Sequence, residues 1–172
     1  RFRWRWYLSV FGLLFPLFAL YVGVGVWLSP PEKPGPNPHA WLIVAVVLTT
    51  QMLQCAGEEY LFRVWFLQNI GAWFANQWVA LIVPLIPSVA LFALAHGSMH
   101  PLTLLDLGLF ALAASLLAWR TGGVEASIAL HAANNMAIML ITAFTGGFEE
   151  GFVDANTTGS WESVLTTLVV QA

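Results

Sequence analysis

The sequence predicts an all-α fold, a polytopic transmembrane helix bundle of about five spans, and two observations carry that reading. Of 172 residues, 59% are apolar and only 9% charged, with a mean hydropathy of +0.76, far from the composition of a water-soluble domain. The apolar residues also gather in runs of about 20, the length that crosses a bilayer core at helical rise. The lipid bilayer is therefore the first partner, and a net charge of −3 gives no footing for nucleic acid.

The first run, residues 6–28, follows Arg1, Arg3 and Arg5. Basic residues before an apolar stretch suggest a secretory signal, but this stretch is longer than a signal core and no small-residue cleavage site follows, so it is a true span. SPPEKPGPNP, residues 29–38, is a stiff extended linker. The second run covers 40–57 and continues to 70; the third is 78–95, the fourth 102–119, and after the tight turn TGG the fifth is 124–144. The positive-inside rule places the amino terminus and Arg120 on the cytoplasmic side of a cell (plasma) membrane, with the linker and the tail bearing Glu149, Glu150 and Asp154 outside. Trp4, Trp6, Trp27, Trp41, Trp73, Trp78 and Trp119 fall near span ends as interfacial anchors. Cys55, the single cysteine, reads as a small core residue, and one thiol supplies neither a disulfide nor a thiolate cluster within the chain. The expected organisation is one transmembrane domain over 1–172, with 146–172 an extracytoplasmic tail or the start of a further helix. The chain opens on Arg1 and closes in WESVLTTLVVQA, which reads as half of another apolar helix, so further helices are expected in a longer protein.

Ionisable groups within spans cost about 2.5–3.5 kcal/mol each on insertion scales and usually face a bundle interior or an aqueous cavity. Here they are few: Glu58, Glu59 and Arg63 in the second segment, His96 at the end of the third, Asp106 in the fourth, and His131 with Asn134 and Asn135 in the fifth. Glu59 and Arg63 are four apart with the acid first, the favourable order for an intrahelical ion pair. Glu58 is rotated by about 100° from Glu59 and faces elsewhere. His131 and Asn135 share a helix face, and Phe92 and His96 repeat that spacing. Together a glutamate, two imidazoles and a carboxamide supply a general base, polarisable or metal-capable groups and an oxyanion donor, the roles needed for water to attack a carbonyl.

The blocks EEYLFR (Glu58, Glu59, Arg63), FALAH (Phe92, His96) and HAANN (His131, Asn135) stand in order on successive hydrophobic segments. The chain thereby resembles the CAAX protease and bacteriocin-processing (CPBP, or Abi) family of intramembrane endopeptidases over about residues 51–140, and GGVEASIALHAANN looks like its bacterial members. The resemblance implies that Glu58 activates water, that His96 and His131 line the same cavity, and that Asn135 helps hold the oxyanion, leaving Glu59 and Arg63 as a structural pair. It also implies a membrane-associated peptide or protein as substrate. Family members have been described both as metalloproteases and as glutamate proteases without an obligatory metal; a divalent ion such as zinc on Glu58, His96 and His131 has suitable ligand types, without a spacing signature.

Alternating topology puts Glu58 toward the inner end of its span and His96 toward the outer end of the next. The third span is therefore expected to kink or break at Pro84 or Pro87, and the second helix to run on toward Ile70. His100, before Pro101, reads as a span-end residue, and Asp106 as a buried hydrogen-bonding group. The rival functions are a catalytically silent CPBP-like subunit or scaffold of a membrane complex, and a proton or ion relay through Glu58, Asp106 and the histidines.

Overall fold

A computed structural model describes residues 1–171; Ala172, the last residue of the expected tail, lies outside the described residues. The described residues form helices and no strands, and five helices are long and apolar enough to cross a membrane: α1 (Trp4–Leu28), α2 (Ala40–Gly71), α3 (Gln77–Leu94), α4 (Pro101–Thr121) and α5 (Glu125–Thr145). A 3₁₀ turn at Glu149–Gly151 and a short apolar helix, α6 (Trp161–Gln171), follow. Leu13, Leu17, Leu20, Leu42, Leu53, Ile82 and Ile86 point outward and exposed, as side chains solvated by lipid do and those of a soluble protein do not.

Local chemistry sets the helix ends. The Asn76 side chain accepts the Trp78 and Val79 N–H groups at the start of α3. Pro101 opens α4, where a missing N–H costs nothing. The TGG turn closes α4 with Gly122 in the left-handed region at φ 66°, while the Gly123 N–H reaches the Ala118 carbonyl at 3.1 Å and the Gly122 N–H the Trp119 carbonyl at 3.4 Å.

The contacts divide the chain into two compact units, Arg1–Gly57 with Glu125–Phe152 and Glu58–Val124 with the residues from Val153 on. In the first, α1 and α5 run in the same direction and are tied at both ends. At their starts the Arg3 guanidinium meets the Glu125 carboxylate at 2.6 Å and the Arg3 N–H adds a bond of 3.0 Å. The charged bond to Glu125 raises the Arg3 pKa above its ordinary value. At their far ends the Gly35 and Asn37 N–H groups donate to the Thr145 and Ala143 carbonyls at 3.0 and 2.8 Å, satisfying acceptors that the helix terminus leaves open. The proline-rich linker is thus a cap on α5. Gly146 makes the approach possible: its φ is +102°, and a Cβ there would sit 2.3 Å from the Lys33 carbonyl oxygen. Between these ties Phe11 and Phe15 of α1 pack with Val47 and Cys55 of α2 on Ala132 and Met136 of α5.

In the second unit, α3 is one helix through Pro84 and Pro87, so of the expected kink or break the break does not occur. Helix α2 instead continues well past Glu58, with a π-helical stretch at Tyr60–Phe66. Glu58 therefore lies near the middle of α2, 18 residues after Ala40 and 13 before Gly71. Pro84 and Ser88 are buried, and Ser88 Oγ donates to the Phe62 carbonyl at 3.1 Å, bonding α3 to the widened stretch. Gly71 lets the α2–α3 corner close, since a Cβ there would stand 2.7 Å from the Ala80 carbonyl oxygen.

The segment after Val153 is sewn to the α3–α4 turn. The Thr157 carbonyl accepts Ser98 Oγ at 2.8 Å and Thr103 Oγ1 at 3.3 Å, and the Gly159 N–H donates to His100 Nδ1 at 3.2 Å. That bond places the His100 proton on Nε2 in the neutral ring. Within the segment Asp154 accepts Thr157 Oγ1 and the Asn156 N–H, both at 2.9 Å, which hold its carboxyl below the usual carboxylate range. This stabilisation is complete above the ordinary aspartate pKa and is lost as the pH falls through the depressed one. Helix α6 then packs on α4, with Val164 buried.

Gly146→Ala should lower the melting temperature of the detergent-solubilised protein, since the left-handed conformation alone costs about 1–2 kcal/mol with a Cβ. Gly23→Ala, inside α1 with open space around it, should leave the melting temperature unchanged or raise it.

Candidate active site

Glu59 is fully buried and Arg63 is 4% exposed. Arg63 Nη1 lies 3.3 Å from Glu59 Oε1, and Nη2 donates to the Ala111 carbonyl of α4 at 3.2 Å. The guanidinium stands over the Phe92 ring of α3 at 4.5 Å from its centroid, a cation–π contact of about 2 kcal/mol when water is excluded. Phe92 meets Phe62 edge-on at 5.4 Å and stacks on Phe110 at 5.9 Å. One cation therefore joins α2, α3 and α4. Its Nε has no hydrogen-bond partner among the described residues, so ion pair, carbonyl and ring carry the compensation.

His96 belongs to the same cluster. Its ring lies 4.9 Å from that of Phe92, and its Nδ1 is 2.9 Å from the Phe92 carbonyl oxygen. A carbonyl only accepts, so Nδ1 carries the proton and the neutral ring presents an Nε2 lone pair. Glu58 is half-buried on the turn of α2 that holds Glu59. The contacts from Glu59 through Arg63 and Phe92 to His96 thus bring the middle of α2 to the end of α3.

Asp106 lies level with His96. Phe92 and Phe110 stack on antiparallel helices, and His96 and Asp106 are each one turn from them in the same direction. Asp106 Oδ1 is buried without a hydrogen-bond partner among the described residues, so the expected hydrogen-bonding role is not seen at that oxygen.

His131 and Asn135 belong to the other unit, on α5. Residues 125–133 of α5 are buried without a break, and His131 is 3% exposed. Asn135 is half-buried; its Oδ1 accepts Asn134 Nδ2 at 3.2 Å, and its Nδ2 lies 3.9 Å from the Cys55 sulfur. Gln51 and Gln54 join this polar patch, Gln51 Nε2 lying 3.5 Å from Cys55 Sγ. These two glutamines were not among the sequence candidates. The signal was present, because Gln51 and Cys55 are four apart on an apolar span and share a face.

Within neither unit do three His, Cys, Asp or Glu side chains among the described residues come together as a metal-ligand set. Of the expected ligands, Glu58 and His96 belong to the second unit and His131 to the first.

Five apolar spans carrying a buried ion pair, an oriented imidazole and a helix face with His131 and Asn135 define a multi-pass membrane protein. Residues 39–137, more than half of the chain, match the family described as Rce1-like, type II CAAX prenyl endopeptidase. The chain belongs to this family of membrane endopeptidases, and so to the CPBP proteins. The match includes Glu58, Glu59, Arg63, His96, His131 and Asn135. No curated protein and no solved structure matches the chain.

Arg63→Ala should destabilise the protein by about 3–5 kcal/mol, because it removes the cation that compensates the fully buried Glu59 carboxylate. The check is the unfolding midpoint in mixed micelles. Combining Glu59→Gln with Arg63→Met should recover part of the loss, and an unchanged midpoint in Arg63→Ala would refute the assignment.

Proposed function

We propose that the chain is an intramembrane endopeptidase in which Glu58 is the general base. The observation that carries this reading is the contact path within the second unit: Arg63 meets Glu59, Ala111 and Phe92, Phe92 meets His96, and Glu58 stands on the same turn of α2 as Glu59. Glu58 takes a proton from water, and the hydroxide adds to the scissile carbonyl carbon of a membrane-associated peptide. His131 and Asn135 donate to the oxyanion, and His96 polarises the water or the leaving group. Collapse of the tetrahedral intermediate breaks the C–N bond as the proton passes to the departing nitrogen, giving a carboxylate and an amine. The amino terminus, with Arg1, Arg3 and Arg5, lies on the cytoplasmic side in this reading.

The test is reconstitution in liposomes with a library of lipid-anchored peptides, new termini being read by mass spectrometry. The unaltered protein should generate new termini. Glu58→Gln should abolish them while keeping its melting temperature, and His96→Ala and His131→Ala should each cost at least about a hundredfold in rate. Full cleavage by Glu58→Gln would overturn the mechanism. No cleavage by any form, alongside a cellular phenotype indifferent to Glu58→Gln, would point instead to a silent subunit.

A further inference from the structure

We infer that Cys55, with Gln51, is a positioning residue that fixes the orientation of the Asn135 carboxamide; this rests on Asn135 acting as the oxyanion donor proposed above. Cys55 is fully buried, in a core otherwise formed by Val47, Ala132 and Met136. Its polar neighbours account for its whole hydrogen-bonding capacity. The thiol has one proton, and Gln54 Oε1 lies 3.6 Å from Sγ as its acceptor. The sulfur lone pairs then face two N–H donors, Gln51 Nε2 at 3.5 Å and Asn135 Nδ2 at 3.9 Å. Gln51 also bonds Gln54, which closes the set on one face of α2.

The set acts on Asn135 from one side and Asn134 from the other. Asn134 Nδ2 donates to Asn135 Oδ1 at 3.2 Å, so the carbonyl end of the Asn135 amide is engaged within α5. An acceptor is then needed on its nitrogen side, and the Cys55 sulfur is placed there. Turning the amide over would set Asn135 Nδ2 against the Asn134 donor and its oxygen against a sulfur already receiving Gln51. Both neighbours therefore select the same orientation, and an amide nitrogen has two hydrogens. The sulfur engages one, and the second remains for an oxyanion. Sulfur is a weak acceptor, so its effect is directional: it holds a donor within the fraction of an ångström on which rate depends.

The experiment measures kcat and KM with an internally quenched, lipid-anchored peptide in proteoliposomes. Cys55→Val removes the acceptor at the cost of one added methyl group; kcat should fall about tenfold or more, with KM within about twofold. Cys55→Ser, which restores a donor and an acceptor, should regain most of the lost rate. In an Asn135→Ala background, Cys55→Val should cost nothing further, because the group it positions is gone. Wild-type kcat in Cys55→Val, or an equal further loss in the Asn135→Ala background, overturns the inference. Wild-type kcat in Asn135→Ala overturns the oxyanion role itself, a separate failure. If Cys55→Val is not recovered folded, Gln51→Leu serves in its place, with the same pattern of kcat loss and non-additivity expected and the same outcomes overturning the inference.

Discussion

A guanidinium at 4% exposure, in a chain whose outer surface is built for lipid, has to be compensated where it stands. Arg63 draws that compensation from three helices: the Glu59 carboxylate one turn earlier, the Ala111 carbonyl of α4 and the face of Phe92 on α3. Each partner is a geometric demand as well as an energetic one, since losing a member leaves the others buried and unbalanced. The packing of the second unit follows. Phe92 has to sit under the cation, which sets the phase of α3 and hence the place of His96, and Ala111 has to present its carbonyl, which sets α4 and brings Phe110 onto Phe92. The π-helical stretch at Tyr60–Phe66 contains Arg63, and the Ser88 hydroxyl bonds a carbonyl inside it. Glu58, one residue before Glu59, inherits a fixed position from it.

The first unit uses the opposite strategy, with charge at its rim and small residues inside. Arg3 with Glu125 at one end and the proline-rich linker on the last carbonyls of α5 at the other hold α1 and α5 together. Between those ties α5 is lined by Ala126, Ser127, Ala129, Ala132, Ala133 and Ala137, all buried, which lets backbones approach closely around His131. The polar set of Gln51, Cys55 and Asn135 lies in this close-packed region, where a displaced side chain has little room to relax.

Much of this is written in the sequence because the bilayer makes the code simple. Apolar length marks the five spans, and a spacing of four with the acid first marks Glu59 and Arg63 as a pair. TGG marks the end of α4, since only glycine takes that left-handed position cheaply. Other features depend on hydrogen-bond partners that hydropathy does not encode. The π-helical register is a choice among ladders that use the same side chains. The linker reads as a spacer because its prolines hide the Gly35 and Asn37 N–H groups that cap α5. Pro84 and Pro87 read as a kink or break, yet the helix continues through both with Pro84 buried, and tertiary packing outweighs the local preference for ending it. Cys55 reads as core by composition, and its hydrogen bonds to residues on its own helix and to α5 appear only once the helices are placed.

In the proposed mechanism GEEYLFR is a structural ion pair beside one carboxylate that activates water. Isotope tracing asks most directly whether that carboxylate acts as a base. A single turnover in H₂¹⁸O, followed by mass spectrometry of the product and of the α2 peptide, should place one ¹⁸O in the new product carboxylate and none in Glu58. Label in the Glu58 carboxylate, with unlabelled product, would mean that Glu58 attacks the substrate itself, and would contradict the account.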